Sequence, residues 1–156
     1  MLTLNLPHPN HMGSRRQARE RAVQFLFQID MNPEEDLESA LEHFWLHQRP
    51  EVIELLEGKS SWGEHKELPP PTAGDLTIQH FAEPLVRGVI ENQDSIDREL
   101  SSLATNWDLH RMAGVDRNIL RLAVYEMLHR NDIPPVVSIN EAVDIAKKFS
   151  TDDSGK

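Results

Sequence analysis

Apolar residues recur at helical spacing along most of the chain, and nowhere do they alternate for long enough to make a strand. Ala18, Ala22, Phe25, Leu26 and Ile29 share one face of a first helix, predicted from Arg15 to about Asp30. Ser14 with Gln17 reads as a capping box at its start, the hydroxyl and the amide satisfying the first free backbone N–H groups. Asn32-Pro33-Glu34-Glu35 offers a cap, a proline at the first helical position and an acid two residues on. The second helix that follows puts Leu37, Leu41, Phe44 and Trp45 on one side and ends near Pro50. From Thr77 to about Leu103 the apolar face is Phe81, Leu85, Val89, Ile96, Leu100 and Leu103, with Pro84 a misfit that predicts a late start or a kink. A short helix is expected after Asp108, and Gly114 breaks the pattern.

Val115 to Arg130 is the strongest helix of the chain. Val115, Ile119, Leu122, Ala123, Tyr125, Met127 and Leu128 make it apolar over much of its circumference, which suits the centre of a bundle. Ile133-Pro134-Pro135 ends it. Ser138 and Glu141 read as a second capping box, opening a helix with the apolar stripe Ile139, Ala142, Val143, Ile145, Ala146 and Phe149. The pattern therefore predicts an all-α protein of about six helices.

Two segments fall outside it. Residues 1–13, with Pro7 and Pro9, have neither a basic start nor an apolar stretch of signal-peptide length and read as a disordered leader. Residues 58–75 hold Gly58, Ser60, Ser61, Gly63, Pro69, Pro70, Pro71 and Gly74 and read as a loop that folding can spare, with Trp62 pinning it to the body. The remainder, 14–156, is long enough for one domain with its own core.

Composition narrows the chemistry. The chain has no cysteine, which excludes disulfides, zinc–thiolate sites and thiol catalysis and fits a cytoplasmic protein. No apolar stretch is long enough to span a bilayer. The net charge of -10 is unevenly spread. Residues 30–57 hold nine acids against Arg49, whereas residues 14–21 hold Arg15, Arg16, Arg19 and Arg21 against Glu20. Cations at a helix start oppose the macrodipole, at a cost of about 0.3–1 kcal/mol each. Arginines placed there either form a solvated basic face or meet an external anion, for which RNA phosphate is the natural candidate.

Catalytic patterns are missing. The eight histidines are scattered, and His43 with His47, one turn apart, has no HExxH context and reads as a surface pair. Gly155-Lys156 lacks the first glycine of a phosphate loop, since Ser150 stands in its place. Asp108, Asp116 and Asp132 are singly placed and read as caps or surface charges. With no metal site and no cofactor motif to build on, binding or scaffolding is the reading left.

Three motifs in order then resemble the NusB family. Arg15-Arg16-Gln17-Ala18-Arg19-Glu20-Arg21-Ala22-Val23-Gln24 resembles that family's arginine-rich opening, and Val115 to Glu126 resembles its central helix. Ile133 to Phe149 is similar to its INEA(V/I)xxAKxF signature, and Asp153-Ser154-Gly155-Lys156 to the loop that follows. The resemblance covers residues 14–57 and 77–156. It implies two packed three-helix bundles and a transcription antitermination factor that binds boxA RNA with NusE, a small-subunit ribosomal protein. It places that factor with the RNA polymerase antitermination complex during ribosomal RNA transcription. By position, Arg15, Arg16 and Arg19 match the family's RNA-contacting arginines, and Asp153, Ser154 and Lys156 match a loop near the same RNA surface. Phe27 and Asp116 align with positions used towards NusE. Family members continue with a short helix typically beginning FVNGVLD, so a chain ending at Lys156 is expected to leave apolar surface beside that loop uncapped. Two other readings stay open. One is an RNA-binding module like the N-terminal part of some ribosomal RNA cytosine methyltransferases, whose catalytic domain and cysteine are missing from this sequence. The other is a homodimeric helical protein with its RNA site occluded.

Overall fold

Helical periodicity in the sequence becomes helix throughout. The computed structural model describes residues 11–58, 67–103, 106 and 108–149, and every regular element among them is helical. In order these are α1 (His11–Met31), α2 (Leu37–His47), α3 (Pro50–Glu57), α4 (Ala73–Glu91), α5 (Gln93–Leu103), a 3-10 turn (Leu109–Arg111), α6 (Gly114–His129) and α7 (Pro135–Phe149).

α6 is the hub. It packs against α1, α4, α5 and α7, while α1 lies along α4 and touches α2. α3 packs beside α2, and α5 touches α4. One core joins them. Phe25, Leu26, Leu41, Phe44, Leu85, Val89, Ile96, Ile119, Leu122 and Ile145 are all buried in it. Burying each such side chain contributes about 1.5–3 kcal/mol, and Phe25 meets Phe44 edge to face at 5.3 Å. α4 and α6 approach so closely at Gly88 that a Cβ there would come within 2.0 Å of Tyr125 Cζ, overlapping the phenol end of that side chain.

The helix starts differ from the sequence reading. α1 begins at His11 and α7 at Pro135, each three residues before the expected cap. Ser14 and Ser138 therefore lie inside helices, and neither expected box forms. The Ser138 hydroxyl is buried without a hydrogen-bond partner, and Glu141 turns instead to a partner on α1. Asn32 does not open α2; Asp36 does, its side chain accepting from the Ser39 N–H at 3.0 Å. The capping box that does form, Thr72 with Asp75, opens α4.

Residues 50–57, expected as chain beyond the second helix, form α3 with Pro50 in its first turn and Val52 buried. The predicted helix from Thr77 to Leu103 is two helices, broken at Asn92, whose side chain donates to the Gly88 carbonyl. Pro84 stays within α4, exposed to solvent, and supplies no N–H to the carbonyl of His80. On α6 Met127 and Leu128 face solvent, and on α7 so do Ile139 and Val143, because the core reaches only one side of each helix. The leader's first ten residues and Trp62 lie outside the described residues. Among those residues no helix is long and apolar enough to cross a membrane.

Candidate nucleic-acid interface

The arginines of α1 meet different fates because a helix turns about 100° per residue. Arg19 points inward and is 3% exposed. Its Nε and Nη2 donate to Glu126 Oε1 on α6 at 2.9 and 2.7 Å. A guanidinium buried this way has its charge compensated inside the protein and holds α1 to α6. The sequence grouped Arg19 with Arg15 and Arg16 as contact residues; the structure separates it from them, since no ligand outside the fold reaches it.

Arg16 sits between α1 and α7. It donates to both Glu141 oxygens at 3.0 Å and to Asp144 Oδ2 at 2.8 Å, and its side chain keeps 45% of its exposure. The hydrogen bonds that Arg16 donates to Glu141, aided by that carboxylate's charge, push the Arg16 pKa up. Lys148 of α7 reaches back to Glu20 at 2.8 Å, so the start of α1 and the end of α7 share one charged face.

Arg15 is exposed and pairs with no carboxylate among the described residues. Its guanidinium lies 5.3 Å from the centre of the Phe81 ring on α4. Arg19 and Arg130 approach the same ring at 5.2 and 5.7 Å. Arg130 is held by Asp132 through bonds of 2.9 and 3.0 Å. Those bonds hold the Asp132 carboxyl down to about 2, with a smaller contribution from the Arg15 charge. Phe81 is half-buried against the core, as the periodicity of α4 predicts, and Arg130 carries no sequence signal of its own. Nothing in the local pattern brings them to Arg15, because each lies on a different helix or turn.

The positions expected to face a protein partner lie at one end of α6. Phe27 is half-buried and packs on Gly114, where an added Cβ would come within 2.8 Å of its ring. Asp116, two residues on, borders an open apolar cleft of about 580 Å³ lined by Met112, Ile119, Leu120, Ala142, Val143 and Ala146. Asp153, Ser154 and Lys156 lie outside the described residues. Among the described residues, no group of three or more histidine and carboxylate side chains could hold a metal ion.

Fold and charged face together define an all-helical protein with two exposed arginines, Arg15 and Arg16, in the first turns of its first helix. A profile of the NusB family matches residues 16–156. The chain is 42% identical over 144 residues to the transcription antitermination protein NusB of Desulfitobacterium hafniense (strain DSM 10664 / DCB-2), covering 92% of this chain and 81% of that one. It is 44% identical over 144 residues to that of Desulfatibacillum aliphaticivorans, covering 92% and 83%. Its fold matches that of T. maritima NusB (P3121, Form 2) with a TM-score of 0.61 and 33% identity, covering 90% of this chain and 82% of the other. The chain belongs to the NusB family of transcription antitermination proteins.

Proposed function

We propose that this protein binds boxA RNA jointly with NusE within the RNA polymerase antitermination complex, in the cytoplasm, during ribosomal RNA transcription. It acts by recognition, without a catalytic step. The observation that carries this reading is the placement of Arg15 and Arg16, exposed cations in the first turns of α1 on a chain of net charge -10. Two arginines on an acidic body make a weak RNA site with a shallow salt dependence. A basic partner docked on the acidic surface offsets that repulsion and lengthens the contact. The apolar cleft beside Asp116, and Phe27 at the same end of α6, support a partner surface there. Asp153, Ser154 and Lys156 follow α7 in the chain and extend the proposed RNA contact.

The test is a titration of boxA RNA into the protein alone and into its equimolar mixture with NusE. At least roughly tenfold tighter binding in the mixture is expected, a coupling of about 1.4 kcal/mol. Asp116→Lys should weaken the protein–protein contact without changing RNA binding by the protein alone. Equal affinities in the two titrations would remove NusE from the reading and favour a self-associating helical protein, whose mass sedimentation would report.

A further inference from the structure

Three guanidiniums converge on the Phe81 ring, and they are not equivalent. Arg19 is locked to Glu126 and Arg130 to Asp132, which leaves Arg15 as the one facing the ring with no carboxylate partner among the described residues. Beside the ring, between the start of α1 and α4, opens a recess of about 340 Å³ walled by Ser14, Arg15, Thr77, His80 and Phe81. The Thr77 hydroxyl donates to the Ala73 carbonyl at 2.9 Å, so its oxygen stays available as an acceptor. His80 is exposed.

A phosphate needs guanidiniums and backbone N–H groups; it has no use for a phenyl ring. A ring with a cationic plane against it, an imidazole and a hydroxyl on one concave wall suit a flat ligand that both stacks and hydrogen-bonds. Unpaired nucleobases are recognised through those contacts. We propose that this recess receives one unpaired base of the bound RNA, stacked on the Arg15–Phe81 pair, with Thr77 and His80 against its edge. The proposal rests on the RNA reading above and adds to it a base-reading element contributed by α4, outside the arginine-rich run.

The experiment is fluorescence anisotropy with a single-stranded boxA RNA, carried through a salt series and repeated with abasic sites introduced one position at a time. Base–aromatic stacking is worth about 1–3 kcal/mol per base, so Phe81→Leu should weaken binding about tenfold or more. The slope of affinity against salt should stay unchanged, because no phosphate contact is lost. One abasic position should cost the unmutated protein a similar factor and cost the Phe81→Leu variant almost nothing, the signature of a direct pair. Phe81→Tyr keeps the ring and should keep the affinity, which separates stacking from folding.

An unmutated protein that loses no more at one abasic position than at the others overturns the proposal, whatever the variants do. So does a Phe81→Leu variant that is helical and binds like the unmutated protein, or one whose only change is a shallower salt slope. If Arg15→Ala weakens binding while Phe81→Leu does not, the RNA reading stands and the base recess falls. If the unmutated protein, with and without NusE, binds no RNA, both fall.

Discussion

Arg19 on α1 and Glu126 on α6 form a buried ion pair, Nη2 to Oε1 at 2.7 Å, with both residues almost wholly out of water. Each compensates the other's charge in a region where an unpaired charge is costly. Arg19→Ala leaves Glu126 buried and alone and should cost about 3–5 kcal/mol. Arg19→Met with Glu126→Leu removes both charges and should cost much less. Urea unfolding followed by circular dichroism measures both. Equal losses in the two variants would mean that packing, and not the charge, sets the cost.

Arg15→Ala with Arg16→Ala should act on binding more than on stability. Both side chains are exposed, and Arg16 retains Glu141 and Asp144 as competitors for any phosphate. The expected result is boxA affinity lowered about tenfold and a salt slope reduced by about 1.4, at about 0.7 per single-strand phosphate contact. Asp144→Asn should move affinity the other way, by loosening one hold on Arg16. A double alanine variant with unchanged affinity and intact helicity would remove this face from RNA binding.

Gly88→Ala pits two local effects against each other. Alanine favours an exposed helix by about 1 kcal/mol, yet its Cβ would overlap the phenol end of Tyr125 across the α4–α6 contact. Overpacking of that kind costs about 1–3 kcal/mol, so the variant should melt at lower temperature. In a Tyr125→Ala background the same glycine replacement should cost less or even stabilise. Additive losses in the two backgrounds would show that the helices simply move apart.

Acid should loosen the α1–α6 contact through Asp30. Burial alone would raise its carboxyl, but bonds from Arg117 and Asn118 and the charges of Arg121 and Arg117 outweigh burial and hold it below its ordinary value of 3.8. The unfolded chain therefore takes up the proton first as pH falls. The stabilisation is fully present above the unfolded value and is lost as pH drops through the folded one. Denaturant midpoints measured from about pH 6 to about pH 2.5 should fall along the acid limb, and Asp30→Asn should flatten that fall. An acid limb unchanged in the variant would assign the loss to the other carboxylates.

The Pro-rich loop is less expendable than its composition predicts. Arg49, at the junction of α2 and α3, donates to the Pro69 carbonyl, and Thr72 with Asp75 caps α4. Replacing residues 59–73 by a flexible linker removes both contacts and should lower the melting temperature. Thr72→Ala alone should cost about 0.5–2 kcal/mol. A replacement that stops at 66 spares both and should melt at a higher temperature than the 59–73 replacement.

Periodicity by itself determined the helical class, the central place of α6 and the inward faces of α1 and α2, because burying a stripe of apolar residues is a local rule repeated every turn. The arginine run and the acidic stretch after it were equally legible, and with the Ile133 to Phe149 motif they carried the family. The tertiary structure alone decided which arginines are free. Arg15, Arg16 and Arg19 look alike in the chain, but their fates depend on Phe81, Glu141 and Glu126, residues from other helices. The helix starts were decided the same way. Ser138 and Glu141 have the residues of a capping box, yet Pro135 opens the helix and the Arg16 ion pair claims Glu141. A cap is read from neighbours in sequence; a buried charge is settled by whichever opposite charge the fold brings within 3 Å.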